Sequence, residues 1–295
     1  MPGGYGWHED EWTGADAREV LRTPSRDDHK YSRGSVLMLT GSSAYPGAAV
    51  LSVEGAWRTG IGMVRWFGEA DVGRLVLQQR PETVMGAGRT DAVVVGSGID
   101  ARTRTDQVTR AIERMLASPA PTVIDAGALD LAPRAHGPFV VTPHAGELRE
   151  VRIPLGLGVD DIDVDPLAER LAGDFPERLL VVRETAVALG GVVLLKGAET
   201  IVGTPGGWWT VVRAGTPWLA TAGTGDVLAG AIGSVLAGAV AAAEEEIDVE
   251  DLGPIAATGA WLQGTAGQIA ARHGGPITAL DVAEALPHAF AEASA

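Results

Sequence analysis

Ala222-Gly223-Thr224-Gly225-Asp226-Val227-Leu228-Ala229-Gly230 closes a turn-rich segment that begins near Ala214 and opens an apolar helical pattern running to about Ala243. Glycines and small side chains let a backbone come close to a ligand. A helix starting here leaves its first N–H groups unpaired and carries partial positive charge at that end. Gly223, Thr224 and Gly225 therefore form an anion loop suited to phosphate. Asp226 falls in the first helical turn, within reach of that anion. A carboxylate repels bound phosphate, so as a binding group it is a poor choice. As a base facing a hydroxyl that attacks a phosphoryl group it makes sense. Capping the helix and complementing its dipole is the competing account of Asp226.

Upstream of this stretch, short apolar runs alternate with helical patterns. Val36–Thr40 reads as a strand, Gly41–Gly47 as a Gly-rich turn, and a helix continues to about Thr59. Met63–Phe67 is a strand and Ala70–Gln78 a helix. Asp91–Val95 is a buried strand ending in Gly96-Ser97-Gly98, and residues 104–117 are helical. Thr122–Asp125 and Phe139–Thr142 are further strands, and Pro176–Leu189 is a helix. Such alternation predicts an α/β fold: a mostly parallel central sheet with helices on both faces. Val192–Lys196, Thr200–Gly203 and Trp208–Val212 predict a small antiparallel meander, in which Trp208 and Trp209 pack. Helices at about 254–272 and 278–292 finish the chain after an acidic connection at Glu244–Glu250. Residues 1–33 lack a clear period and read as a mobile or draped N-terminal arm. Residues 151–165 read as an acidic loop or flap. No Pro/Ser-rich linker divides the rest, so residues 34–295 are expected to form one domain.

Ligands of such sheets bind beyond the carboxyl ends of the strands. The polar motifs all fall at those ends: Gly41–Gly47, Gly96–Gly98, Asp125 and Thr142–Glu147. Their convergence weighs more than any one of them.

The 295 residues carry 38 acidic and 23 basic side chains, a net charge of −15. That field repels nucleic acid and anionic membranes, so neither is expected as a partner. An anionic small ligand must be held by local positive sites. The chain has no Cys, which removes disulfide and thiolate chemistry. No apolar run of transmembrane length and no leader pattern is read, so a soluble cytoplasmic protein is expected. Nor does the chain contain any Asn.

Several familiar motifs fail. Gly96-Ser97-Gly98-Ile99-Asp100-Ala101 begins like a dinucleotide fingerprint but lacks the third Gly, and no G-x-x-x-x-G-K-[ST] loop occurs. No His/Cys cluster has zinc spacing. His144, in Thr142-Pro143-His144-Ala145-Gly146-Glu147, follows a strand and can donate to a ligand carbonyl or phosphate. Glu147 either orders Mg²⁺ through water or caps the next helix. Lys196, at a strand end beside Gly197, can neutralise a phosphate as a point charge. Asp125 either reaches a metal or ligand hydroxyl or is an N-cap.

Together these segments resemble the ADP-dependent NAD(P)H-hydrate dehydratase family. The likeness rests on Gly41–Ala49, Arg58–Val64, Gly96–Gly98, Ile124–Leu129, Thr142–Glu147, Lys196–Thr200 and Gly223–Gly230, in order across about residues 30–290. The anion loop alone is shared with many ribokinase-like enzymes; the Thr142–Glu147 segment with the first Gly-Ser block is more specific. The resemblance implies a ribokinase-like fold and repair of the S form of hydrated NADH and NADPH, with ADP as co-substrate and Mg²⁺ as cofactor, yielding AMP and phosphate. It implies that Asp226 is the catalytic base. Ala48, Gly98, His144 and Asp226 would face the hydrated dinucleotide. Lys196, Gly197, Ala198, Glu199, Thr200 and Gly225 would bind the nucleotide. A homo-oligomer and a separate NAD(P)H-hydrate epimerase are the implied partners; the epimerase domain often fused in this family is not recognised here. Asp100, Gly127, Thr216 and Ala222 depart from the family's pattern, which commonly has Gly, Asp, Asn and Gly there. Two other functions fit the loop itself: an ATP-dependent kinase of a vitamin-precursor alcohol, and a nucleotide sensor without turnover.

Overall fold

The computed structural model describes residues 10–157 and 166–295. In chain order its elements are α1 (Gly14–Val20), β1 (Ser35–Leu39), α2 (Pro46–Arg58), β2 (Met63–Trp66), α3 (Ala70–Gln79), β3 (Val84–Met85), β4 (Ala92–Val95), α4 (Asp106–Leu116) and β5 (Thr122–Ile124). A 3₁₀ segment, Ala126–Arg134, leads to β6 (Phe139–Val141), α5 (Leu148–Arg152), α6 (Pro166–Ala172), α7 (Phe175–Leu189) and β7 (Val192–Leu195). Then come β8 (Thr200–Gly203), β9 (Trp209–Val212), α8 (Thr224–Ala242), α9 (Leu252–Ala270) and α10 (Ala279–Ser294).

All nine strands form one sheet, ordered β3-β2-β1-β4-β5-β6-β7-β8-β9. β1 to β7 run parallel, and β8 and β9 are antiparallel. The expected meander is thus the far edge of the main sheet, and its first strand is the last parallel one. Both faces are covered, which is why the parallel strands read as continuous apolar runs. Along β4, Ala92 and Val94 join a core with α2, α3, α8, α9 and α10. Val93 and Val95 join a second core with α4, the 3₁₀ segment, α5 and α7.

The chain leaves β1 for β2 and β3, then returns to β4 on the other side of β1. Crevices at such a reversal are where open α/β sheets bind ligands. The loops after β1 and β4 meet there, with the Gly41 N–H donating to the Ser97 carbonyl at 2.7 Å.

α8 is seated by close packing on α2. A Cβ on Gly230 would stand 2.0 Å from the Ser52 carbonyl oxygen, and one on Gly55 would stand 2.3 Å from that of Val227. Glycine at both contacts lets the backbones approach, which fixes where the anion loop points. No apolar run of transmembrane length is expected from the sequence. α8 is a correction: at 19 residues it has that length and composition. Its residues Val227–Ala237 are all buried, in the core between α2, α9 and the sheet.

Of the expected N-terminal arm, residues 1–9 lie outside the described residues. Residues 10–33 lie on the body. Glu11 makes a parallel bridge to Val211, with the Trp12 N–H donating to the Val211 carbonyl at 2.9 Å, so the arm shields the edge strand β9. α1 then packs on α9 and α10, with a capping box between Thr13 and Asp16. Of the expected 151–165 loop, residues 158–165 lie outside the described residues. Residues 151–155 instead finish α5 and form a 3₁₀ turn.

Candidate active site

Gly223 is the N-cap of α8 and takes φ 92°, a left-handed conformation that glycine adopts without steric cost. No side chain caps this helix end, so its first N–H groups face outward as an anion site. Thr224 contributes only backbone. Its hydroxyl turns back to donate toward the carbonyls of Leu219, at 2.9 Å, and Thr221, at 3.0 Å, bracing the loop. Thr216, at a position where the family it resembles commonly has Asn, caps the 3₁₀ turn before α8 by accepting from the Trp218 N–H at 3.4 Å.

Lys196, just past β7, points at this helix end. A Cβ on Gly225 would lie 3.5 Å from its Nζ. The ammonium also lies 3.0 Å from Asp125 Oδ1 and 3.4 Å from Glu147 Oε2. Burial works against the charge of Lys196, but the facing Asp125 and Glu147 carboxylates prevail and hold its pKa above the usual value. One cation and two carboxylates therefore meet at the ends of neighbouring strands.

Asp226 sits in the first turn of α8. Its pKa is pushed up to about 7, first by burial and then by the negative charge of Asp125, with Lys196 opposing and Glu147 adding to the rise. A carboxyl poised near neutrality suits a general base. A Cβ on Gly223 would stand 3.8 Å from Asp226 Oδ2 and 2.5 Å from Leu51 of α2. The carboxylate thus lies on the side of α8 facing the helix that carries Ala48.

His144 is exposed, and its ring orientation is set locally. Nδ1 accepts from the Gly146 N–H at 3.0 Å and from the Glu147 N–H at 3.3 Å. Nε2 then carries the proton of the neutral ring and can donate to a ligand. Glu147 accepts from the His144 N–H at 2.9 Å as well as facing Lys196. Its capping role is therefore realised within the Pro143–Glu147 turn rather than at α5, where no side-chain cap forms.

Asp125 does not cap the 3₁₀ segment behind it either. It is 2% exposed and accepts from Ser97 Oγ, from Thr142 Oγ1 and from Lys196. At Gly127, where the family it resembles usually has Asp, a Cβ would stand 2.1 Å from the Ile99 carbonyl oxygen. The 99–101 turn occupies the space a side chain would need.

The site residues named from the sequence do not all line one cavity. A cavity of about 680 Å³ is lined by His144, Lys196, Gly197, Ala198, Thr200 and Gly225, with Arg213, the Ala214–Thr221 loop and Gln263 on its other walls. Its lining does not include Ala48, Gly98 or Asp226. Ala48 and Gly98 meet instead at the strand-order reversal, where a Cβ on Gly98, at φ 67°, would stand 2.3 Å from Ala48 Cβ. Glu199 is not among the cavity's lining residues and is bound by Arg178 and, at 3.0 Å, by Arg213. Trp208 packs edge-on against Trp12, and Trp209 lies tilted against Phe175. Sequence reasoning missed Arg213, Gln263 and Ser97. Ser97 lay inside a quoted motif, while the other two stand on β9's end and on α9 with no local pattern to mark them.

A family model described as NAD(P)H-hydrate dehydratase matches residues 36–288. The bifunctional NAD(P)H-hydrate repair enzyme Nnr of Mycobacterium tuberculosis is 38% identical over 220 residues, 70% of this chain and 41% of that protein. The chain thus spans about two fifths of that relative's length. The ADP-dependent (S)-NAD(P)H-hydrate dehydratase of Xanthomonas campestris is 32% identical over 228 residues, 70% of this chain and 73% of that protein. Among solved structures, the ADP/ATP-dependent NAD(P)H-hydrate dehydratase of Bacillus subtilis, co-crystallised with ATP and Mg²⁺, superposes with a TM-score of 0.80 at 26% identity. That match covers 98% of this chain and all of the other.

Proposed function

This chain belongs to the NAD(P)H-hydrate dehydratase family, and from that premise we propose that it dehydrates the S form of hydrated NADH and NADPH at the expense of ADP. One observation carries the reading most: Asp226, poised near neutrality, adjoins an anion-binding helix end to which Lys196 is already fixed. The nucleotide occupies the 680 Å³ cavity along Lys196–Thr200, with its phosphates toward Gly223–Gly225. The hydrated nicotinamide ring enters from the Ala48–Gly98 side, within reach of the His144 Nε2–H.

The substrate carries a hydroxyl on C6, beside the ring nitrogen, and hydroxide is a poor leaving group. Asp226 takes the hydroxyl proton as the oxygen attacks the β-phosphorus of ADP and the bond to AMP breaks. The helix N–H groups and Lys196 stabilise the charge on the transferring group. The ring nitrogen's lone pair then expels phosphate from C6, and loss of a C5 proton restores the double bond of NAD(P)H. A positioned base contributes roughly 10²–10⁴-fold.

The proposal includes Mg²⁺ as cofactor. Among the described residues no three His, Asp or Glu side chains converge as a protein cage. Mg²⁺ characteristically keeps its waters and binds through one or two carboxylates and substrate phosphates. Glu147 would hold it through water, and the ion would neutralise charge between phosphate oxygens. We extend the proposal to residues 34–295 acting as one catalytic unit, to self-association, and to supply by an epimerase that interconverts the R and S hydrates. Light scattering on the purified protein measures the self-association.

The test is recovery of 340 nm absorbance from hydrated NADH with ADP and with ATP side by side. Recovery with stoichiometric AMP from ADP supports the reading. No recovery, with ATP consumed on a vitamin-precursor alcohol, refutes it.

A further inference from the structure

Four consecutive parallel strands end in side chains that form one connected group. Ser97 follows β4, Asp125 follows β5, Thr142 follows β6 and Lys196 follows β7. Asp125 is the hub. Its Oδ2 accepts from Ser97 Oγ at 2.8 Å, and its Oδ1 accepts from Thr142 Oγ1 at 2.8 Å and from Lys196 Nζ at 3.0 Å.

At 2% exposure and with three protein donors already bound, Asp125 is committed to its protein partners rather than open to a metal or a substrate hydroxyl. The residue after it supports a dedicated placement. Ala126 takes φ 43°, uncommon for a residue with a Cβ, a conformation that persists only where the surroundings impose it. Ser97 directly precedes Gly98, which touches Ala48. The group therefore runs from the side proposed for the dinucleotide to the ammonium at the anion loop.

We propose that Asp125 is a positioning residue: it fixes the Lys196 ammonium at the amino terminus of α8 and ties that position to the Ser97–Gly98 turn. It touches neither substrate. A lysine is a point charge on a flexible four-carbon stem, and its place is set by what holds its donors. Glu147, at 3.4 Å, is the more distant of the two carboxylates that face the ammonium. The proposal rests on the dehydratase reading for its kinetic consequence but not for its binding consequence.

Asp125→Asn keeps the shape and removes the charge. The expected result is a fall in kcat of roughly 10²-fold, the scale of a misplaced catalytic group. ADP affinity by calorimetric titration should also fall, by less than the rate, because the ammonium that meets the phosphates is no longer held by the charge of Asp125. Ser97→Ala and Thr142→Val should lower kcat by less and leave ADP affinity unchanged. Wild-type kcat in Asp125→Asn overturns the proposal. So does a loss of ADP affinity matching the loss of rate, which is what general disruption would give. A raised KM for the hydrated cofactor alone would mean direct substrate contact, and also overturns it. If the wild-type protein turns over no hydrated cofactor, the dehydratase reading has failed. The titration then decides: weakened ADP affinity in Asp125→Asn keeps the ADP-site account, and affinity equal to wild type rejects it.

Discussion

The Lys196 ammonium stands 3.5 Å from the point a Cβ on Gly225 would occupy, an ordinary van der Waals contact. Gly225→Ala therefore fits the fold without displacing a neighbour. Alanine inside a helix is favoured over glycine by about 0.5–1 kcal/mol. The substitution should leave the melting temperature unchanged or raised while weakening ADP binding, because the methyl enters the space between the ammonium and the phosphate. Thermal melts and ADP titrations on the same variant check it. Loss of both together would mean that the glycine is required for folding instead.

Lys196→Ala removes the partner of a nearly buried carboxylate and leaves Asp125, Glu147 and Asp226 facing one anion site. Breaking such a pair costs about 3–5 kcal/mol. Urea unfolding should show a loss near the lower end of that range, since Lys196 retains some exposure. Added ADP should no longer raise the melting temperature.

The Asp226 carboxyl, raised to about 7 by burial and by Asp125 and Glu147 against Lys196, must be ionised to act as a base. kcat/KM should fall about tenfold per pH unit below about 7. The stability consequence has a definite sign. A native carboxyl with a raised pKa binds its proton more tightly than the unfolded chain does. The stability it contributes is complete below the unfolded value of 3.8 and is lost as pH rises to about 7. Asp226→Asn should therefore gain stability over wild type as pH goes from 5 to 8, read by urea unfolding at each pH. A constant difference would contradict the shift.

On α2, Glu54 is fully buried and held by Arg58 at 2.8 Å and Arg80 at 2.5 Å. Burial raises its pKa, but the bonds from Arg80 and Arg58 outweigh it and hold the carboxyl below its usual range. Its contribution is present above the unfolded value and lost as pH falls through the lower folded one. Glu54→Gln should cost about 3–5 kcal/mol at pH 7 and leave turnover of the folded fraction unchanged.

The parallel strands were legible because burial on both faces makes each a short continuous apolar run, as in Val93–Val95 and Val192–Leu195. Local signals located Gly223–Asp226, Thr142–Glu147 and Lys196, since each adjoins a strand end or helix start. α1 escaped because seven residues carry too little periodicity, although Thr13 and Asp16 spell its capping box. β3, two exposed residues long, has no apolar run to betray it. The hub at Asp125 was beyond local reading for another reason: its bonds to Thr142 and Lys196 span 17 and 71 residues. Nor could sequence show that Thr224 turns its hydroxyl into the loop, because the same residue type serves equally as a ligand donor.

The most direct test of the account is Asp226→Asn in two measurements on one preparation. Recovery of 340 nm absorbance from hydrated NADH with ADP should vanish, while ADP titration gives an affinity at or near that of wild type. Retained turnover, or a large loss of ADP binding, would contradict Asp226 as the base that activates the substrate hydroxyl.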